Sequence, residues 1–175
     1  MVISSQLFES YLQCPTKCWL RWRAEQPTGN AYAEWLAAQN ETYSQVGLKR
    51  LVAAFPECDC STAPPTPSNH KEAIWRLAVD VRWNTNDLES HLQAVERVPA
   101  NGRGTLARFI PYRFDSANRI TKEHKLLLGF DAIVVSESLG RVVGLGKIVH
   151  GDNFATLIVK TAPLVRSLRF RSAQS

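Results

Sequence analysis

The sequence predicts a mixed α/β fold: a central mixed β-sheet flanked by helices, preceded by an N-terminal helical region. Three observations carry this. Residues 1–55 hold apolar side chains at helical spacing, while from residue 73 the apolar spacing shortens to two. A capped helical stretch then interrupts the strands before two more follow. Helices, then three strands, then helix, strand, strand can bury their apolar faces only around a sheet covered by helices.

Taken in order, Ser4 and Ser5 are candidate N-caps for a helix carrying Leu7, Phe8, Tyr11 and Leu12. Pro15 marks a junction before a second helical stretch over residues 16–23, and Pro27, Gly29 and Asn30 break the chain. Residues 32–55 read as a long helix with Trp35, Leu36, Tyr43, Val46, Leu48, Leu51 and Val52 as its apolar positions, ended by Pro56. Residues 56–72 read as a Pro-rich loop, with four of the nine prolines. A strand starts near Leu77. Residues 87–98 alternate through Leu88, Leu92, Ala94 and Val98, and Asn101 to Gly104 turns them back into residues 105–114 as an antiparallel hairpin. Thr121 caps a helix with Leu126, Leu127, Phe130, Ile133 and Val134 that ends near Gly140, and strands 141–150 and 154–160 flank Gly151-Asp152-Asn153.

A chain of 175 residues with 45% hydrophobic and 21% charged side chains is expected to form one domain, residues 1–175. No apolar run is long enough for a membrane span, and the N-terminus lacks the basic-then-apolar pattern of a secretory signal, so a cytoplasmic location is expected. Four Cys are then thiols or metal ligands rather than a disulfide framework. The net charge of +5 is uneven: residues 116–175 carry nine basic and four acidic side chains, and no acid follows Asp152. A one-sided basic surface favours a polyanion such as nucleic acid.

The opening SSQLFESYLQCPTKCWL resembles the N-terminal helix and Cys-Pro turn of RecB-like nucleases of the PD-(D/E)XK superfamily, including the CRISPR-associated RecB-like exonucleases. LESHLQAVERV, ARFIPYRF, KLLLGFDAIVVSESLG and GRVVGLGKIVHG resemble the strand, strand, helix and strand of their core. The resemblance implies a restriction-endonuclease-like sheet and a site that holds Mg²⁺ or Mn²⁺ between a strand Asp and a Glu-x-Lys pair, activating water against a phosphodiester. By order, the Asp position falls on Gln93, the Glu-x-Lys positions on Arg113 and Asp115, and a helix Gln-x-x-x-Tyr on Leu126 and Phe130. These positions are degenerate. Gln is a poor ligand for a hard cation and a guanidinium repels one, though it can hold a phosphate. Asp87, Glu89 and Glu96 are alternates for the first carboxylate if the match slips.

The related exonucleases hold an iron–sulfur cluster with one N-terminal Cys and three near the C-terminus. Here Cys14 matches the first, and no Cys follows Cys60, leaving Cys14, Cys18, Cys58 and Cys60 as an alternative zinc or cluster set. Lys147, His150, Lys160, Arg166 and Arg169 are candidate phosphate contacts, His91 a candidate polar partner, and Trp22 and Trp83 candidate stacking rings. Three readings follow: an impaired nuclease-like domain that binds DNA or serves a DNA-processing partner, an active divalent-metal nuclease with a displaced carboxylate set, and a protein-interaction module keeping only the fold.

Overall fold

The computed structural model describes residues 2–23, 30–62, 75–100 and 106–172. Its element order is β1 (Ile3–Ser4), α1 (Ser5–Gln13), α2 (Pro15–Trp22), α3 (Ala31–Ala53), β2 (Cys60–Thr62), β3 (Leu77–Asn84), β4 (Leu88–Val98), β5 (Arg108–Asp115), α4 (Lys122–Leu139), β6 (Leu145–His150), β7 (Ala155–Lys160) and α5 (Ala162–Ser172). The strands form one mixed sheet in the order β2-β3-β4-β5-β6-β7, with β1 paired to β4. The mixed α/β class is as expected. No helix among the described residues is long and apolar enough to cross a membrane.

Local chemistry sets the helix ends. Ser4 caps α1 by accepting from Leu7 N, and Asn30, expected only as a breaker, caps α3 by accepting from Tyr32 and Ala33 N. Thr121 and His124 form a reciprocal cap on α4, and Gly140 closes it at φ 61. Leu126 to Val135 are all buried in α4, because that helix lies between the sheet and α1 and α5.

Three elements were not expected. β2 lies inside the stretch read as a loop and pairs in parallel with Leu77–Val79. Cys60-Ser-Thr has no apolar alternation, so its placement comes mainly from backbone pairing, with Cys60 packed against the core. β1 is only two residues long. α5 occupies part of the acid-free stretch after Asp152, seating Val165 and Leu168 against the α4 side of the sheet. The turn expected at Asn101 to Gly104 lies outside the described residues; the strands on either side are antiparallel from Ala94↔Tyr112 to Val98↔Arg108.

The even alternation expected along residues 88–98 breaks at Gln93. Leu92 and Val95 both pack with Phe130 and Val134 of α4, whereas Ala94 packs with Tyr112, Phe114 and the α3 residues Tyr43 and Leu51. The neighbouring strand changes face in step: Ala78 and Val81 share the α4 cluster, and Asp80 between them has φ 54. One left-handed residue in β3, set beside Gln93 by the pairs Val79↔Ala94 and Val81↔Leu92, reverses which face each strand presents.

Candidate functional site

That break opens the site. β3 takes one edge of β4 from Glu89 to Glu96. The other edge is shared by β1, at Leu88 and Glu89, and by β5, from Ala94 onward. Residues 90–93 therefore have no strand partner on that edge, and side chains complete the bonding. Gln93 Oε1 accepts from Phe114 N at 3.1 Å, and its amide donates to Ser44 Oγ of α3 at 2.9 Å.

Beyond this gap lies a cleft of about 1160 Å³ between the sheet, α1, α2, α3 and the start of α4. Gln93, Arg113 and Asp115 all line it. Arg113 lies on the α4 side of the sheet, where both its Nε and its Nη2 donate to Asp131, the latter at 2.9 Å. Asp131 is fully buried and also accepts from Ser90 Oγ at 2.6 Å. Three donors satisfy this carboxylate in the core, where an unpaired one would cost several kcal/mol.

Asp115 is similarly engaged. One oxygen accepts from Ala117 N at 2.9 Å and the other faces His124 Nε2 at 3.4 Å. His124 Nδ1 accepts from Thr121 N, so the neutral ring carries its proton on Nε2, towards the carboxylate. Ser116 Oγ donates to Asn40 Oδ1 at the same rim.

The alternate carboxylates are elsewhere. Glu96 Oε2 accepts from Lys147 Nζ at 2.7 Å and from the Tyr112 hydroxyl at 2.8 Å, on the α3 side of the sheet and outside the cleft lining. Lys147 also donates to the Tyr112 oxygen at 2.7 Å, so that cation is already paired. Burial first, then the hydrogen bond to Glu96 and its charge, push the Tyr112 phenol far above its ordinary range. Glu89 is half-buried opposite Ser4, and Asp87 is used through its carbonyl, which accepts from Ile3 N.

The other candidates scatter. His150 stands opposite Asp115 on β6, half-buried, with an Nδ1 that lacks a hydrogen-bond partner among the described residues. Lys160 on β7 and Arg166 on α5 are exposed and outside the cleft lining, and Arg169 belongs to α5. His91 pairs with Asp80. Trp83, Leu126 and Phe130 are core residues, whereas Trp22 is 58% exposed on the cleft wall. Cys14 and Cys18 lie at the start of and within α2, while Cys60 packs in the α3-side cluster; the side chain of Cys58 lies outside the described residues. Among the described residues no three His, Cys, Asp or Glu side chains come together as a metal site.

Asp131 and Ser90 were missed. A single carboxylate within LLLGFDAIVV is a readable signal, because an acid in an all-apolar helix needs a buried donor. Which donor it takes depends on the fold.

No family model and no curated protein matches the chain. Among solved structures it is similar to the crystal structure of SSO0001, with 14% identity and a TM-score of 0.33 over 79% of this chain and 87% of that one. A likeness this slight bears on neither fold nor function.

Proposed function

We propose that this chain is a nuclease-like, nucleic-acid-binding domain of the RecB-like lineage that acts without metal-dependent cleavage, in DNA processing or as an accessory subunit. The reading is supported first by order. β3, β4 and β5 run antiparallel, α4 crosses over, and β6 pairs in parallel with β5. That is the order the resemblance implies for a restriction-endonuclease-like core.

The observation that carries the catalytic half of the reading is the Arg113–Asp131 pair. At the position where a ligand carboxylate is required, a guanidinium is fixed by a buried acid from α4. Gln93 is committed to Ser44 and a backbone N–H, which leaves Asp115 as the one carboxylate of the matched set. Mg²⁺ or Mn²⁺ needs several hard oxygens at close range, so these residues do not fit such an ion. Phosphate recognition needs no metal. Exposed Lys160 and Arg166, with Arg169 nearby in sequence, are proposed to supply part of it.

The test is incubation of single- and double-stranded DNA with the protein and either metal. The expected result is no cleavage above a buffer control. Robust cleavage abolished by Asp115→Ala would instead favour a displaced carboxylate set, drawn from Glu9, Glu41 and Glu123 on the same cleft.

A further inference from the structure

β7 (Ala155–Lys160) ends the sheet on one side, where among the described strands it pairs with β6 alone. Its free edge has a defined pattern. Thr161 N donates to Gly144 O at 3.1 Å, and the pairs from Leu145↔Lys160 to His150↔Ala155 continue that register without a bulge. In an antiparallel ladder a residue sends its N–H and its C=O to the same side, and successive residues alternate. Thr161 points at β6, so Val159, Leu157 and Ala155 do too, while Thr156, Ile158 and Lys160 present their backbone groups outward. The side chains of the same three residues are exposed on the α3 face, Ile158 at 62%. Leu157 and Val159 pack instead with Leu128 and Ile148 on the α4 face.

Proteins usually protect such an edge with a short strand, a central charge, a proline or a bulge. The opposite edge strand, β2, is three residues long. β7 is six residues, ATLIVK, with no proline, no bulge and its one charge at the last position. α5 turns back over α4, where Leu164 sits against Gly129, rather than following the free edge. What fits the edge is a strand whose outward groups recur at the same spacing. A second β7, run antiparallel about a two-fold axis perpendicular to the sheet, does so. Ile158 then meets its counterpart at the axis, Thr156 lies opposite the second copy's Lys160, and each of these pairs closes two backbone hydrogen bonds.

We infer that β7 is a self-association edge: two copies of this chain join β7 to β7, antiparallel and centred on Ile158, so that one sheet runs through both. The placement of the side chains favours a second copy over an unrelated extended segment. Each Lys160 faces a threonine hydroxyl, and the two lysines stand about 13 Å apart along the strand, beyond the reach of unscreened repulsion at physiological salt. On the other face Leu157 meets the second copy's Val159, which continues the apolar layer beside Leu128 and Ile148. The inference is independent of the nucleic-acid reading.

The experiment is sedimentation velocity of the full chain between about 5 and 500 µM, which should show a monomer–dimer equilibrium within that range. Ile158→Pro removes an N–H that points away from β6, so it deletes the central bonds and leaves the chain's own ladder intact. Ile158→Lys sets two like charges across the axis. Circular dichroism and a thermal melt check that each variant folds. Both should weaken dimerisation about 10- to 100-fold. Thr156→Glu sets a carboxylate opposite Lys160 twice in the dimer and should tighten it about 2- to 20-fold at low salt; pairings centred on Leu157 or Val159 would not set these residues opposite each other. A chain that stays monomeric throughout, or a dimer that survives both Ile158 variants, overturns the proposal. A Thr156→Glu dimer no tighter than wild type overturns the pairing centred on Ile158.

Discussion

Replacing Arg113 by Met leaves the carboxylate of Asp131, fully buried, with Ser90 as its remaining side-chain donor. Breaking a buried ion pair from one side costs about 3–5 kcal/mol, because the surviving charge is stranded. The two halves of the pair differ in exposure, which decides where each variant falls in that range. Asp131 is 0% exposed, whereas Arg113 is 21% exposed and borders the cleft. Arg113→Met should therefore cost about 4–5 kcal/mol, and Asp131→Leu, whose orphaned guanidinium can turn toward water, about 3 kcal/mol. For a chain of this size these costs correspond to falls in Tm of roughly 6–20 °C. Removing both charges strands neither, so the double variant should be more stable than Arg113→Met alone. Urea denaturation of the four proteins closes the cycle. A single variant within about 1 kcal/mol of wild type, or a double variant showing the plain sum of the singles, would refute the claim that this pair is a coupled buried charge site.

Other consequences are independent of that pair. The Tyr112 phenol is raised in the folded state, so its contribution to stability is complete below the ordinary tyrosine value of about 10 and declines as pH rises above it. Tyr112→Phe should cost about 1–2 kcal/mol at neutral pH and flatten that alkaline decline, read by thermal melts across pH; an unchanged slope contradicts the assignment. Gly47→Ala sets a helix-propensity gain of about 1 kcal/mol against a methyl placed 2.5 Å from the buried Phe114 ring, so overpacking should win by up to about 2 kcal/mol in a chemical melt. Cys14 is exposed at the start of α2, where the backbone N–H groups of Lys17 and Thr16 lower its thiol. It should be alkylated by iodoacetamide faster than Cys60 near neutral pH, as mass spectrometry of tryptic peptides would show.

The parts of this fold that could be read from the chain are those where burial repeats with a period. In α3 the expected positions Tyr43, Leu48, Leu51 and Val52 pack on the core while Trp35, Leu36 and Val46 are exposed, α4 is buried without a break from Leu126 to Val135, and Ser4 and Thr121 mark helix starts because their side chains satisfy N–H groups that the helix cannot. β2 was illegible for the opposite reason: it buries little and is held by pairing with Leu77 to Val79. α5 carries Leu164, Val165 and Leu168 among its arginines, and only the presence of α4 and the sheet gives them a surface to cover. The change of face at Gln93 could not be read either, since it needs Asp80 in a left-handed conformation on a neighbouring strand.

The site divides in the same way. Gln93, Arg113 and Asp115 were placed together by their resemblance to a strand pair, and they do line one cleft. Their partners Ser44, Asp131 and His124 come from two helices and are set by packing rather than by local sequence. The placing of the tryptophans was only partly legible. A Trp at helical spacing is usually a core residue, and Trp83, as readable as Trp22, lies in the core at 4% exposure.

The central claim is that nucleic acid binds here without a metal, and affinity measured in EDTA against salt concentration tests it most directly. Each cation on a phosphate of a single strand contributes about −0.7 to the slope of log K against log salt. The two exposed cations Lys160 and Arg166 predict a slope of about −1.4 or steeper for a single strand in EDTA, with no divalent metal required for binding. Binding that appears only with Mg²⁺, or no binding at low salt, would contradict the account.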